Sequence, residues 1–497
     1  MSFNTKAKAD FFEKQDTQLK KTLGVRDFLA LGVGTIISTS IFTLPGVVAA
    51  GYAGPAVVLS FLGAAIVAGL VAFAYAEMST VFPVAGSAYS WISVLFGEGW
   101  GWIAGWALLA EYFVAVAFVG SGFSGVLRSF IPLPFNISTP IVAYNAAGHL
   151  ARGGFVDLVA LLVIVLSAAI VWMGAKDAGR VAQVLVILKV AAVLAFILVG
   201  LTAIHPSNYT PFIAPHTATT VGGWGGIWAG VSVIFLAYIG FDSIAANSAE
   251  AKNPQKTMPR GILGSLVIAV VLFSAVTLVL AGMQHYTKFA GQQAPINYAL
   301  SQAGYGWLST IVGIIADAGM FVALLGMVLA GSRLIYSFGR DGMLPRFMGN
   351  VNKKGLPANA LIVLTVVTVL IGAFLPFTFL AQLISAGTLV AFMFVSLGMF
   401  AIRRREGKDL PEPGYKMPLY PVLPALGFIL SAFVFWGLGS DAKIYCGLWF
   451  LFGLLIYALR SDVKKGDRTH ASGADAEDDM GVIKKVNRKR QKHTPQI

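Results

Sequence analysis

Four ionisable residues lie inside long apolar stretches of this chain: Glu111, Lys189, Asp242 and Asp317. An ionisable group in hydrocarbon costs ~3 kcal/mol or more, so each is expected to be paired or to carry charge for a function. Lys189 falls eight residues into a run that opens at 181, about 12 Å at the helical rise, near the middle of a membrane. A side chain that is costly there as an ammonium suits proton exchange, so Lys189 is the candidate proton-coupling residue. The structural alternative is a permanently paired cation, with Glu111 or Asp242 as its partner. Asp317 is a further candidate charge partner without an assigned role. Glu77, at the end of its run, reads as an interfacial or helix-end group.

Two stretches have the wrong residues for unbroken helix. The first reads Gly32-Val-Gly-Thr-Ile-Ile-Ser-Thr-Ser-Ile-Phe42, followed by Pro45 and Gly46. Glycine and β-branched residues are weak helix formers, and the hydroxyls of Ser38, Thr39 and Ser40 compete for backbone groups. The second reads Phe235-Leu-Ala-Tyr-Ile-Gly-Phe-Asp242, with a glycine and a charge in mid-run. Unwound backbone inside lipid is tolerated only where it lines a protected cavity. A break leaves N–H groups at one half-helix, which suit an amino acid's carboxylate, and carbonyls at the other, which suit its ammonium. Candidate substrate-binding residues are therefore Ile36, Ile37, Ser38, Thr39, Ser40 and Ile41 for the carboxylate. Phe235, Leu236, Ala237 and Ile239 are the candidates for the ammonium and side chain. Close packing of small residues is the plainer reading of either stretch alone. Two breaks at matching depth favour a site.

The elements that must hold these groups follow from composition. Of 497 residues, 57% are apolar and 12% charged, where a soluble domain carries about a quarter charged. That excludes a soluble enzyme, a disulfide-stapled scaffold and a disordered chain. A membrane span needs ~20 apolar residues. Runs of that kind lie near 27–50, 54–76, 99–127, 156–174, 181–204, 227–248, 261–284, 307–336, 358–379, 380–402, 417–438 and 442–460, which makes twelve. An even number puts both termini on one side of the membrane. With that side cytoplasmic, only Arg128, Arg152, Lys288 and Lys443 of the 36 Lys and Arg face outward, and Lys189 lies within a span. This is the positive-inside pattern, so the formal charge of +13 reflects topology and attraction to anionic lipid, not nucleic acid.

No signal-peptide pattern precedes the first run. Segment 1–26 reads as a cytoplasmic N-terminus. Segment 461–497, with an acidic run at 475–479 and a basic cluster at 484–492, reads as a flexible cytoplasmic tail. Cys446 alone makes neither a disulfide nor a thiolate site. His149, His205, His216 and His285 fall in outside loops at no metal-ligand spacing, so no metal, cofactor or enzymatic role is expected. Spans one and six correspond if spans 1–5 and 6–10 form an inverted repeat. That divides the chain into 27–204, 227–402 and a terminal pair at 417–460.

The motifs resemble the amino acid–polyamine–organocation superfamily, in its cationic-amino-acid-transporter-like branch. The likeness covers nearly all of 20–460. It is carried by the 32–42 motif, Tyr75-Ala-Glu77, Phe82-Pro-Val-Ala-Gly-Ser-Ala-Tyr89, Gly105-Trp106 and Glu111-Tyr112. It continues through Ala237-Tyr-Ile-Gly-Phe-Asp242, Glu250, Asn253-Pro254, Ser332-Arg333 and Gly339-Arg-Asp-Gly342. The stretch 241–261 and the Ser38-Thr39-Ser40 variant are similar to branched-chain amino-acid permeases of Gram-positive bacteria. The resemblance implies an all-α membrane protein of leucine-transporter type: a five-plus-five inverted repeat, spans 1 and 6 broken, and two additional C-terminal helices. It also implies substrate at the breaks, and Lys189 standing where sodium-coupled relatives bind their ion. Phe321 and Val322 stand where sodium-site hydroxyls would be, so no sodium site is expected. The sequence departs from the family in two places: Ser38-Thr39-Ser40 replaces Gly-Thr-Gly, and Leu236 stands where an aromatic gate is common.

The reading is a secondary active permease of the plasma membrane with both termini cytoplasmic. It imports neutral aliphatic amino acids, branched-chain and also methionine, by alternating access with protons. The rivals are a cationic (arginine or lysine) transporter or exchanger and a transporter-like nutrient receptor. Its partners are the amino acid, protons and membrane lipid.

Overall fold

The computed structural model describes residues 21, 23–84, 86–128, 131–144, 150–173, 178–292, 294–352 and 356–459. The tail at 461–497 and residues 1–20 of the N-terminal segment lie outside the described residues. Among the described residues, eight helical stretches are long and apolar enough to cross a membrane, accompanied by three shorter apolar helices.

The first expected run is two helices, α1 (Val25–Ile36) and α2 (Thr39–Val48), separated by Ile37 and Ser38. Next come α3 (Val57–Val81), a short α4 (Ala88–Leu95) and α5 (Glu98–Leu127). A small antiparallel hairpin, β1 (Val142–Tyr144) on β2 (Leu150–Arg152), interrupts the helical pattern before α6 (Leu158–Met173) and α7 (Ala178–Leu201). The sixth run is broken as well. α8 (Gly223–Ile234) passes into a single tight turn, Phe235–Tyr238, and resumes as α9 (Phe241–Ala246). Then follow α10 (Pro254–Met283), a short α11 (Pro295–Gln302), α12 (Gly306–Arg340), α13 (Ala358–Phe374) and α14 (Phe377–Arg405). The chain closes with α15 (Val422–Trp436) and α16 (Ser440–Leu459). The boundary between the ninth and tenth runs corrects the sequence expectation of 379/380. Leu375 and Pro376 are extended and α14 starts at Phe377. A proline fixes its own φ and disfavours helix in the residue before it, so it sets a boundary that an apolar run cannot show.

Helical periodicity sorts each element between lipid and protein. On α7, Val184, Ile187, Leu188, Leu194 and Leu198 are exposed, while Val186, Lys189, Val193 and Phe196 form the buried stripe. Lys189 is thus carried inward by its place in the 3.6-residue repeat, among apolar neighbours. α5 is buried along nearly all of its length and packs on α4, α6, α12, α13 and α14. It is the post around which the other helices stand.

Glu77 stands near the end of α3, as its position in the sequence suggests, but it is not interfacial. It is fully buried, because residues 406–420 fold back under the end of α3. Its Oε2 accepts from Arg403 Nη2 at 3.0 Å and from the Met417 backbone N–H at 2.5 Å, and the Arg403 guanidinium lies over the Tyr420 ring. In the same loop, Lys416 hydrogen-bonds Glu406 and holds its carboxyl below the usual range. A buried pair is weak evidence of net stability, but stranding one partner costs about 3–5 kcal/mol. Arg403→Met should therefore lower the unfolding temperature of the purified protein clearly, and Glu77→Gln with Arg403→Met should recover part of the loss. A single Arg403→Met variant as heat-stable as the parent would show that Glu77 has another partner.

Candidate substrate site

The break between α1 and α2 takes two residues. Ile37 (φ −79°, ψ 71°) and Ser38 (φ −107°, ψ −140°) leave helical geometry, and α2 begins at Thr39. Neither N-terminus at the two breaks is capped by the side chain of its preceding residue. The opposite break turns at Ile239, which is extended, and at Gly240, whose φ of 133° only glycine adopts without strain. A Cβ on Gly240 would also lie 3.0 Å from the Ile36 N, so the two breaks touch through the backbone.

The structure brings all the sequence-predicted binding residues into the interior. Ile36, Ile37, Thr39, Ile41, Phe235 and Ala237 are fully buried and Ser40 nearly so, whereas Ser38, Leu236 and Ile239 each retain 6% of their surface. These three lie at the breaks themselves, Ser38 on one and the two aliphatic side chains on the other. Thr39 Oγ1 has no hydrogen-bond partner among the described residues. A buried hydroxyl left in that condition costs about 1–3 kcal/mol, which a bound acceptor would relieve.

Thr35 and Ser243 tie the inner half-helices together. Thr35 Oγ1 lies 3.2 Å from the Gly240 carbonyl, and Ser243 Oγ donates to the same oxygen. Asp242 Oδ1 accepts the Gly240 N–H at 2.9 Å, in the first turn of α9 where a carboxylate meets the helix dipole favourably.

Lys189 is where the sequence reading needs correction. Neither Glu111 nor Asp242 is its partner. Its Nζ donates to the Gly34 carbonyl at 2.9 Å and to the Gly319 carbonyl at 3.4 Å. Gly34 is in the last turn of α1, where the final four carbonyls have no helical partner and a cation is favoured. The two carboxyl groups lie close to each other instead. Thr388 Oγ1 donates to Glu111 Oε2 at 2.7 Å, and the Tyr112 hydroxyl to Asp242 Oδ2 at 3.2 Å. Asp317 is buried on α12, and neither of its oxygens has a hydrogen-bond partner among the described residues.

Gly34, Gly319, Tyr112 and Thr388 were not among the predicted site residues. The only signal for the first two was glycine itself. A Cβ on Gly34 would sit 2.7 Å from Val186, and one on Gly319 would sit 2.7 Å from Lys189 Cδ. The approach of α7 to α1 and α12 therefore requires both.

Apolar helices packed around a central post, two of them broken where they meet, are the architecture of a multi-pass membrane permease. The chain belongs to the amino acid permease family, whose model matches residues 23–459. It is 67% identical over 458 residues to the branched-chain amino acid permease BcaP of Lactococcus lactis subsp. cremoris, covering 92% of this chain and 98% of that one. It is 34% identical over 449 residues to the branched-chain amino acid permease BcaP of Bacillus subtilis, covering 90% and 94%. The methylthioribose transporter of the same organism is also 34% identical, over 450 residues, covering 90% and 95%.

Because the Gly319 carbonyl and the Lys189 stem share one tight contact, Gly319→Ala should displace the ammonium from α1. Amino-acid uptake should fall at least about tenfold, the loss of one charge-assisted hydrogen bond, with the protein still inserted. Uptake at the parental rate in Gly319→Ala would mean that the position of Lys189 does not matter for transport.

Proposed function

We propose that the protein is a secondary active importer of neutral aliphatic amino acids, chiefly leucine, isoleucine and valine and also methionine, coupled to protons. The observation that carries this reading is the meeting of the two breaks, where a Cβ on Gly240 would lie 3.0 Å from the Ile36 N. The junction has the uncapped first turn of α2, with a Thr39 hydroxyl unpartnered among the described residues, and Leu236 with Ile239 on the other break. The similarity to two branched-chain permeases supports the substrate class. Asp242 is engaged by Gly240, Tyr112 and Glu111, which leaves it poorly suited as counter-charge for an arginine or lysine side chain. An aliphatic pocket distinguishes such substrates by only ~1–3 kcal/mol per methylene, so the branched-chain amino acids compete closely. A buried unpaired cation costs several times more.

In this reading the helices make twelve spans, α1 with α2 being the first and α8 with α9 the sixth. Residues 27–204 and 227–402 form an inverted repeat and 417–460 the terminal pair. The membrane is the plasma membrane and both termini are cytoplasmic, an orientation that the distribution of lysine and arginine supports. Residues 37–41 hold the substrate carboxylate, and 235–239 hold its ammonium and side chain. Lys189 couples the proton. Protonated, it binds the Gly34 carbonyl and joins α1 to α7 and α12; neutral, it holds α1 less strongly, so α1 can tilt. The ammonium fills the place between α1 and α12 that a coupling cation would take.

Two experiments test this. Proteoliposomes given an inward proton gradient should accumulate leucine without sodium. Lys189→Met, which cannot gain a proton, and Lys189→Arg, which cannot release one, should both lose that accumulation while retaining some exchange. Sodium-dependent uptake indifferent to the proton gradient, or full accumulation in Lys189→Met, would overturn the coupling. Binding of leucine without any accumulation would favour a receptor. In competition assays leucine, isoleucine and valine should displace labelled leucine far better than lysine or arginine, and Ser40→Leu should abolish binding in a folded protein. Arginine competing as well as leucine would transfer the reading to the cationic class.

A further inference from the structure

Gly122, on the central post α5, faces the first residue of α2. A Cβ built there would lie 2.1 Å from Thr39 Cγ2, 3.1 Å from its Oγ1 and 3.2 Å from its Cβ. No side chain tolerates the first of those distances, and the obstructing atom is a methyl on a β-branched residue with little χ1 freedom. Thr39 is fully buried, and its hydroxyl is without a partner among the described residues. Threonine in a helix divides between two rotamers. Here the methyl is lodged against α5 at Gly122 and the hydroxyl lies beside it at the start of the half-helix, so the position of the methyl sets the rotamer of the hydroxyl.

We propose that Gly122 is a positioning residue for substrate. By admitting the Thr39 methyl against α5, it holds the Thr39 hydroxyl in the rotamer that donates to the substrate carboxylate. This deepens the reading above and rests on its assignment of the break between α1 and α2 to the carboxylate. An O–H donating to a carboxylate is a charge-assisted bond, short and directional, so a rotamer change loses it entirely. Gly122 itself touches no substrate.

The test uses the full chain in proteoliposomes, reading leucine KM and Vmax together with the unfolding temperature. Gly122→Ala should raise KM about tenfold or more, the worth of one charge-assisted bond, and leave Vmax near its parental value. Thr39→Val, which keeps the shape and removes the hydroxyl, should show the same KM defect. Combining it with Gly122→Ala should raise KM no further, because both remove one contact. Gly122→Ala with Thr39→Ser, in which the obstructing methyl is gone and the hydroxyl kept, should return KM to within about twofold of Thr39→Ser alone. An impaired Thr39→Val beside a Gly122→Ala of parental KM overturns the proposal and leaves the carboxylate site standing. Parental KM in Thr39→Val overturns the proposal and the role of Thr39 with it. If Gly122→Ala fails to fold, the rescued double variant and Thr39→Val still decide: a KM in the double variant far above that of Thr39→Ser counts against it.

Discussion

The contact between the Lys189 ammonium and the Gly34 carbonyl solves a problem that the break in the first run creates. Ending a helix in mid-membrane leaves carbonyls without partners, in surroundings that offer no water to take them. Lys189 reaches across from α7 to one of these oxygens and to the Gly319 carbonyl of α12. A charged donor is worth more there than a neutral one, and the negative end of the α1 dipole adds to it. The apolar stripe of Val186, Val193 and Phe196 on the same face of α7 brings the ammonium to that point without giving it any alternative partner.

The second break is closed differently. Gly240 turns the backbone, Asp242 takes its N–H, and Ser243 donates to its carbonyl, with Thr35 Oγ1 of the other run 3.2 Å from the same oxygen. What remains open is the other side of the junction, where α2 starts without a side-chain cap and Thr39 has an idle hydroxyl. The polar capacity left over at this break is therefore donor capacity on α2, while the other break contributes the aliphatic Leu236 and Ile239. An arrangement of that kind recognises a carboxylate by direction and a side chain only by volume.

Ion pairs and hydrogen bonds at the end of the bundle bearing Glu77 separate two groups of helices. α1, α3, α9 and α10 are joined by bonds such as Lys252 N–H to Leu23, Ser248 to Val84 and Gln255 to Thr80. This group is joined to α12 and α14 by charged side chains, Arg333 to Asn247 and Arg403 to Glu77. α4 is held to the second group through Tyr89 on Asp341 and Val94 on Arg405.

The sequence by itself determined the class and the location of the breaks. Apolar runs, the one-sided distribution of lysine and arginine, and the two clusters of poor helix formers are local properties, and hydrocarbon enforces them strictly because every backbone group must be paired. Pro376 displaced one boundary, since apolarity does not report where φ is fixed. Only tertiary structure decided the partners of the buried charges. Glu111, Lys189 and Asp242 share no local pattern, and opposite sign suggested a pairing that the packing does not make. Glycine at 34 and 319 lets three helices approach closely enough for a carbonyl to outcompete a carboxylate for the ammonium. Glu77 was misjudged for the same reason: its burial is created by a loop more than three hundred residues away, where Met417 and Arg403 return to cover it. Which side chain meets which depends on how helices distant in sequence come together, and a linear pattern carries that information only where, as at the glycines, close approach leaves no alternative residue.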